Sequence, residues 1–188
     1  MAQTPSNMLP LGTVAPNFSL TDSLTGKTIS LQEAKGTRAT VIMFICNHCP
    51  FVKHVNAELV KLAKDYQAAG VNFIAISSND VEHYPQDAPD KMKQTAIVEG
   101  YTFPYLYDDT QTVAKAYQAA CTPDFYVFNS KLQLSYRGQL DNSRPGNDIP
   151  VTGSDIRHAL NCLIENKENL TEQKPSIGCN IKWKQSRP

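Results

Sequence analysis

The sequence feature that most constrains the fold is an apolar run, residues 41–45, followed at once by Cys46-Asn47-His48-Cys49. Apolar side chains at consecutive positions predict a strand buried on both faces, which is typical of a mainly parallel sheet. Residues 50–69 repeat apolar side chains at helical spacing, and Pro50 is tolerated in a first helical turn. Two thiols therefore lie where a buried strand meets a helix N-terminus, whose free N–H groups stabilise the reactive thiolate. This pattern predicts a redox site.

The rest of the pattern predicts an α/β chain. Residues 71–76 predict a second buried strand, so that strand, helix and strand form a right-handed crossover unit. Asp109 is predicted to cap a helix over residues 110–120, and Ser154 or Asp155 to cap a last helix. The other predicted segments are a partly ordered lead-in at 1–16, hairpins at 17–31 and 125–136, a loop at 79–89, a helix at 90–99 and a polar tail at 167–188.

Length and charge limit the class of protein. The chain has 188 residues, enough for one compact domain with a sizeable core. Its 18 basic and 18 acidic residues cancel, which gives no reason to expect nucleic acid or an anionic membrane as a partner. No apolar run approaches the roughly 18–20 residues of a membrane span. The first residues lack the basic and apolar regions of a signal peptide, so we expect a cytoplasmic location.

The cysteines also bear on the class. Five of them, at positions 46, 49, 121, 162 and 179, are too few and too widely spaced for a secreted disulfide scaffold. In a reducing compartment, a CxxC pair is more often catalytic, redox-sensing or metal-binding than structural. Cys162 lies between apolar residues of the last predicted helix and is expected in the core. Cys179 is expected either to pack on the domain with the tail or to act as a distant resolving cysteine.

Two motifs together resemble the thioredoxin fold: the CxxC at a strand–helix junction and Thr122-Pro123, which opens a predicted hairpin ahead of a terminal helix. Residues 15–20 resemble the N-terminal opening of the redoxin branch, the alkyl hydroperoxide reductase/thiol-specific antioxidant (AhpC/TSA) group, and Tyr136-Arg137-Gly138 is similar to its cytoplasmic thioredoxin-like members. The resemblance covers residues 10–166. It implies an α/β thioredoxin fold, a central mixed β-sheet flanked by helices, with an N-terminal β-hairpin and a C-terminal extension at residues 167–188.

The resemblance implies a thiol–disulfide oxidoreductase. Cys46 would be the exposed nucleophile and Cys49 would resolve the mixed disulfide, which agrees with the position of Cys46 at the helix start. Thr122-Pro123 would be the cis-proline loop, which in this family lies against the CxxC and pairs its backbone with the substrate chain. No bound cofactor is expected, because the electrons move through the thiols. The partners would be a protein or small-molecule disulfide and an electron donor such as a thioredoxin or glutathione system.

Three further residues are candidates for the site. His48 could carry a charge that stabilises the Cys46 thiolate, or it could be an exposed loop histidine. If Pro123 packs on the thiols, Cys121 also lies near them; it could be a third redox thiol, a metal ligand or a small buried apolar residue, and it could contact the substrate. Arg137 could orient a substrate or peroxide, as in redoxins with peroxidase activity, or form a loop salt bridge. Thioredoxins generally place a buried carboxylate beneath the CxxC, whereas residues 41–45 contain no acid.

Two other functions fit parts of the pattern. Peroxiredoxins place Thr at the position of Cys46 and their peroxidatic cysteine at the position of Cys49, with Pro where Ile42 stands. A peroxiredoxin-like antioxidant, a thiol peroxidase, is therefore one alternative. A metallochaperone-like protein is another, because the chain has soft ligands suited to Cu(I) or Zn. Those ligands are Cys46, Cys49, His54 and Cys121.

Overall fold

The computed structural model describes residues 3–185, which form ten β-strands and five α-helices. The strands are β1 (Gln3–Pro5), β2 (Ser19–Asp22), β3 (Thr28–Ser30), β4 (Ala39–Phe44), β5 (Val71–Ser77), β6 (Tyr105–Tyr107), β7 (Cys121–Thr122), β8 (Asp124–Asn129), β9 (Leu134–Gly138) and β10 (Ile177–Asn180). The helices are α1 (Leu31–Ala34), α2 (Pro50–Gln67), α3 (Pro89–Glu99), α4 (Thr112–Ala116) and α5 (Ser154–Ile164), and a 3-10 turn spans Pro85–Asp87. Within residues 3–185, no helix has the length and apolar character that a membrane crossing needs.

A seven-stranded mixed sheet, in the order β3-β2-β6-β5-β4-β8-β9, forms the centre of the molecule. β4 pairs in parallel with β5 and antiparallel with β8, and all six of its residues are buried. This arrangement confirms the buried strand that the apolar run predicts. α2 connects β4 to β5, as the predicted crossover requires, and the hairpins β2–β3 and β8–β9 lie at the predicted places.

Alternate side chains of β4 enter two apolar layers, one on each face of the sheet. Val41 and Met43 lie in the layer that includes the buried stripe of α2, whereas Ile42 and Phe44 lie in the opposite layer. This division follows from the strand geometry, because successive side chains point to opposite faces. β4 is thus fixed from both sides, which in turn fixes the segment that follows it.

A second, three-stranded sheet has the order β1-β10-β7, with both pairings antiparallel. β10 comes from the predicted tail and β1 from the predicted lead-in. The lead-in is predicted to be partly ordered, and its residues 3–5 form a strand because they pair with residues 177–179. The small sheet joins segments from both ends of the described chain at the loop that precedes β8.

The predicted caps of two helices are wrong. α4 is shorter than predicted, and the Asp108 carboxylate, instead of Asp109, accepts the backbone N–H of Ala114 at 2.9 Å. α5 has Gly153 at its N-cap, and neither Ser154 nor Asp155 caps it. In each case the predicted cap lies next to the residue that holds that place in the structure. The backbone path at the helix start decides which of the two neighbours it is.

Candidate active site

The CxxC lies between the end of β4 and the start of α2, as predicted. β4 ends at Phe44 and α2 begins at Pro50, with Cys49 immediately before the first helical turn. The backbone N–H of Val52 donates to the Cys49 carbonyl oxygen at 3.1 Å. Cys46 is 2% exposed and Cys49 is fully buried. The predicted exposure of Cys46 is therefore wrong for this conformation, in which both thiols are shielded from solvent.

The Thr122-Pro123 loop packs against both thiols, and its peptide bond is cis, as predicted. Cys49 Sγ lies 3.1 Å from the Thr122 carbonyl oxygen, and Cys46 Sγ lies 3.4 Å from Thr122 Oγ1. Strand register explains the contact: Phe44 pairs with Asp124, so the residues just before β8 face those just after β4. The sequence thus predicted correctly that this loop faces the CxxC.

A third thiol, Cys179, reaches the same place. β10 sets Cys179 opposite Thr122, and its Sγ lies 2.9 Å from Cys49 Sγ. The backbone N–H of Cys179 also donates to the Cys49 sulfur. Cys179 is 3% exposed. The expectation that the tail packs back on the domain is confirmed, because β10 pairs with β7; the role of Cys179 as a resolving cysteine stays a prediction.

The three thiols hold their protons unequally. The hydrogen bond from Cys46 is the largest of the influences that lower the pKa of Cys49 from the usual 9.0 to about 4, and further donors are Cys179 and the backbone N–H of Val52. The same bond to Cys49, with burial and the Asp87 carboxylate, raises the pKa of Cys46 well above its usual value. Burial, followed by the bond to Cys49, raises the pKa of Cys179 to about 12. These directions place the resting thiolate on Cys49.

One contact opposes this distribution. The Thr122 carbonyl oxygen, 3.1 Å from Cys49 Sγ, attracts a thiol and repels a thiolate. Several donors converge on Cys49 against this one acceptor, so the thiolate is favoured overall. The position of Cys46 near the helix start predicts the thiolate there, whereas in the structure the hydrogen-bond donors surround Cys49. That Cys46 attacks the substrate first stays a prediction.

Asp87 holds the middle of the CxxC loop. It accepts the backbone N–H of Asn47 at 2.8 Å and the side-chain amide of Asn79 at 2.8 Å, and its Oδ2 lies 2.6 Å from His48 Nδ1. Burial alone would raise the pKa of Asp87, but the hydrogen bonds from His48 and Asn79 outweigh burial and lower it. The His48 ring also stacks on Tyr84, with 5.7 Å between centroids. The exposed-loop interpretation of His48 is wrong, because its side chain is only 16% exposed; its tuning role stays a prediction.

Sequence reasoning missed Asp87 and Asn79, although a topological signal was available. Both follow β5, which pairs in parallel with β4. The carboxyl ends of neighbouring parallel strands meet at one edge of a sheet, so the segment after β5 must lie near the CxxC. Asp87 supplies a buried carboxylate next to the thiols that residues 41–45 do not contain.

Of the two remaining candidate residues, Cys121 and Arg137, the structure places only Cys121 near the thiols. Cys121 lies in β7 beside Thr122, is fully buried, and its Sγ contacts the Pro123 carbonyl oxygen at 3.6 Å. Burial raises the pKa of Cys121 well above its usual range, which favours the interpretation of a small buried residue. Arg137 is fully buried, and both terminal nitrogens of its guanidinium bond to Asp124. Arg137 thus forms a salt bridge, the second of its two interpretations, and its contact with substrate stays a prediction.

The potential metal ligands also differ from the predicted set. His54 Nε2 lies 2.7 Å from Ser143 Oγ, so His54 is engaged away from the thiols. Among residues 3–185, ligand atoms of Cys46, His48 and Asp87 lie within 4.8 Å of one another. This group mixes a soft sulfur with imidazole and carboxylate, a combination compatible with Zn.

Comparisons with solved structures support the fold. A conserved protein from Geobacillus kaustophilus is 60% identical, with a TM-score of 0.98 over 100% of this chain and 99% of that chain. A hypothetical protein from Sinorhizobium meliloti is 44% identical, with a TM-score of 0.95 over 97% of this chain and 100% of that chain. The thioredoxin domain of a thiol-disulfide oxidoreductase from Bacteroides vulgatus is 20% identical, with a TM-score of 0.57 over 70% of this chain and 91% of that chain. The chain has a thioredoxin fold.

Sequence comparisons give the family. A Mycobacterium tuberculosis protein named "Putative peroxiredoxin Rv2521" is 28% identical over 116 residues, which are 62% of this chain and 68% of that protein. The sequence model of the AhpC/TSA family matches residues 11–137, more than half of the chain. That match includes the CxxC, Asp87 and the cis-proline loop. The chain belongs to the AhpC/TSA family, the group that its sequence motifs resemble.

Proposed function

We propose that the chain is a thiol–disulfide oxidoreductase that uses Cys46 and Cys49 as its redox pair. The observation that carries the proposal is the contact of both sulfurs with Thr122, the residue before the cis-proline. Thiol–disulfide exchange needs a stabilised thiolate and a second thiol close to it. The lowered pKa of Cys49 and its hydrogen bond from Cys46 supply both. Membership of a thioredoxin-like redoxin family supports the same chemistry.

The proposed exchange has two steps and conserves electrons. A thiolate of the pair attacks one sulfur of the substrate disulfide, and the other substrate sulfur leaves as a thiolate and takes up a proton. The second thiol of the pair then loses its proton and attacks the mixed disulfide. The products are a Cys46–Cys49 disulfide and a substrate with two thiols. A thioredoxin or glutathione system returns two electrons to the pair by the same chemistry.

The substrate and the compartment are part of the proposal. The proposed substrate is a protein or small-molecule disulfide. The thiols face the backbone of the Thr122-Pro123 loop, and exchange needs no reactive group besides the thiols themselves. The cytoplasm is the proposed location, since a reducing compartment keeps the pair poised as thiols. In this conformation both sulfurs are buried, so substrate access requires a movement of the segments that cover them.

A disulfide-reduction assay tests the function. The wild-type chain should accelerate the reduction of insulin disulfides by dithiothreitol, and Cys46→Ser and Cys49→Ser should each abolish that acceleration. Cys162→Ser is the matched control, because Cys162 lies on α5 and its Sγ contacts His158. Activity that survives loss of either cysteine of the pair would contradict the proposal.

The order of attack is tested by trapping. Each Ser substitution of the pair is combined with Cys179→Ser, because Cys179 Sγ lies 2.9 Å from Cys49 Sγ and could otherwise release substrate. Loss of the resolving cysteine then leaves the mixed disulfide with nothing to release it, so substrate accumulates on the attacking cysteine. The predicted attack by Cys46 requires accumulation in Cys49→Ser. Accumulation in Cys46→Ser would instead assign the attack to Cys49, in agreement with its lowered pKa.

A thiol peroxidase is the second candidate function. The observation in its favour is the lowered pKa of Cys49, which occupies the position of the peroxidatic cysteine in the peroxiredoxins that this family includes. Peroxide consumption by Cys46→Ser and Cys49→Ser separates the two functions. Fast turnover that survives loss of Cys46 and disappears with Cys49 would favour the peroxidase.

A further inference from the structure

Strand β10 brings a third sulfur into the site. Cys179 Sγ lies 2.9 Å from Cys49 Sγ, and the Cys179 backbone N–H donates to the same sulfur. The contact therefore involves both the side chain and the backbone of Cys179. Sulfur atoms held this close need little movement to form a bond, since the separation of bonded sulfurs is about 2.05 Å.

β10 also covers the backbone next to the cis-proline. Cys179 pairs antiparallel with Thr122, and Ile181 N–H donates to the Ala120 carbonyl oxygen at 3.2 Å. A side chain at Gly178 would meet the Thr122 carbonyl oxygen at 2.0 Å, so only glycine permits this approach. An open strand edge is a docking place for an extended chain. Here the molecule's own strand occupies that edge and presents a cysteine to Cys49, as a docked disulfide-bearing segment would.

We propose that Cys179 is a third exchanging thiol and that β10 is an internal substrate strand of the site. The disulfide passes from the Cys46–Cys49 pair to a Cys49–Cys179 pair, which fastens β10 over β7. The inference rests on the proposed function, because it starts from the Cys46–Cys49 disulfide that this function produces.

The transfer is an exchange that needs no further oxidant. The Cys179 thiol gives up its proton and its sulfur attacks Cys49 Sγ. The Cys46–Cys49 bond breaks as the Cys49–Cys179 bond forms. Cys46 leaves as a thiolate and takes up a proton. The number of disulfides and of thiols stays the same, so atoms and electrons balance.

The anchors of β10 keep Cys179 in place for this step. The backbone N–H of Lys182 donates to Asn79 Oδ1 at 2.9 Å, and Gln111 Nε2 donates to the Lys182 carbonyl oxygen at 2.8 Å. On the other side of β10, Ser176 Oγ donates to the Pro123 carbonyl oxygen at 2.7 Å. Hydrogen bonds on both sides of Cys179 thus hold it over the redox pair before any covalent bond forms.

Disulfide mapping tests the inference. The full chain, Cys46→Ser and the control Cys162→Ser are reduced, oxidised with diamide, alkylated and digested, and the linked peptides are identified by mass spectrometry. We expect Cys46–Cys49 and Cys49–Cys179 links in the wild type and in Cys162→Ser. In Cys46→Ser most of Cys49 should be linked to Cys179. Recovery of Cys49 and Cys179 as alkylated thiols in that variant would overturn the inference.

The failures of the two proposals are distinguishable. A wild type that forms Cys46–Cys49 but never Cys49–Cys179 contradicts the third thiol and leaves the proposed function intact. A wild type with neither link contradicts both. If Cys46→Ser fails to fold, the wild type equilibrated in glutathione redox buffer decides the matter, since its Cys49–Cys179 link should rise with the ratio of oxidised to reduced glutathione. Absence of the link at every ratio would overturn the inference.

Discussion

The central seven-stranded sheet and the small β1-β10-β7 sheet are built differently. β4 and β8, at the centre of the large sheet, are buried along almost all their length between two apolar layers. β1 alternates exposed and partly buried residues, and its neighbourhood is held by polar contacts, such as the Ser6 N–H to the Ser176 carbonyl oxygen at 2.8 Å. Apolar burial stabilises a fold much more than exchangeable hydrogen bonds do. From this difference we expect the small sheet to open more readily than the large sheet, which positions the thiols.

The largest expected effect comes from the core of the large sheet. Phe44→Ala removes a fully buried ring from β4 and should lower the free energy of unfolding by about 3–5 kcal/mol. Urea denaturation followed by circular dichroism measures it. Val98→Ala is the control, because Val98 is 82% exposed and its loss should change stability by less than about 0.5 kcal/mol. Equal losses of stability from the two substitutions would contradict the dependence of the large sheet on apolar burial.

The next effect should be confined to the small sheet. Gly178→Ala places a methyl group 2.0 Å from the Thr122 carbonyl oxygen and should cost the β10–β7 pairing about 1–3 kcal/mol. Hydrogen exchange should accelerate at residues 177–180 and leave β4 unchanged. Gly36→Ala is the matched variant, since its methyl group would meet the Ala39 carbonyl oxygen at the same 2.0 Å in the large sheet. Gly36→Ala should destabilise the whole molecule; a purely local effect there would contradict the contrast.

A smaller effect tests the polar side of the site. Asp87→Asn removes a negative charge close to the redox pair. The reduced pair carries the negative charge of the Cys49 thiolate and the disulfide carries none, so the reduced pair becomes more stable and its reduction potential should rise by about 30 mV, a tenfold change in the exchange constant. Equilibration with glutathione buffers measures the potential. Asp80→Asn is the control, because Asp80 pairs with His83 at the same 2.6 Å as Asp87 with His48. His48→Ala belongs in the same series: a potential equal to the wild type would rule out tuning by His48.

The smallest effect is the contribution of Cys179 to the Cys49 thiolate. Ultraviolet absorbance against pH should show a thiolate with a midpoint near 4 in the wild type. Cys179→Ser replaces one donor with a different one, so the midpoint should move by less than about one unit, which corresponds to 1.36 kcal/mol. A midpoint near 9 in the wild type would contradict the donor arrangement around Cys49.

The same pKa sets the sign of a pH effect on stability. The pKa of Cys49 falls from the usual 9.0 in an unfolded chain to about 4 in the folded one. The contribution of the Cys49 thiolate to the free energy of unfolding is therefore complete above about pH 9 and is lost as the pH falls towards 4. Cys49→Ser should flatten this part of the stability profile.

The strands and helices that are determined by the spacing of apolar residues were predictable from the sequence. The run at residues 41–45, the stripe of α2 and the Thr-Pro motif placed β4, the CxxC and the cis-proline loop correctly. β10 was not predictable in the same way, because its four residues carry little apolar pattern and it pairs with residues far away in sequence. The caps of α4 and α5 failed for a related reason. Neighbouring residues such as Asp108 and Asp109 are chemically equivalent in sequence, and only the path of the chain separates them.

In the site, too, residues with a local sequence signal were predictable and contacts between distant residues were not. The sequence identified Cys46, Cys49 and Thr122-Pro123, whose positions follow from strand and helix. It did not identify Asp124 as the partner of Arg137, because ion-pair partners from different strands carry no local signal. It left out Asp87 for the same reason, although the parallel pairing of β4 and β5 already implied that residues after β5 lie near the thiols.

Asn79 has a consequence for which residues this position can hold. Its amide oxygen accepts the Lys182 N–H, while its amide nitrogen donates to Asp87. Aspartate has the same shape but only acceptors, so it would set a second carboxylate against Asp87. Leucine would leave the Lys182 N–H without its acceptor and Asp87 Oδ2 with His48 alone. The Asn79 carboxamide thus connects the segment after β10 to Asp87, and through Asp87 to His48 of the redox loop. Few other side chains could both donate and accept in this way.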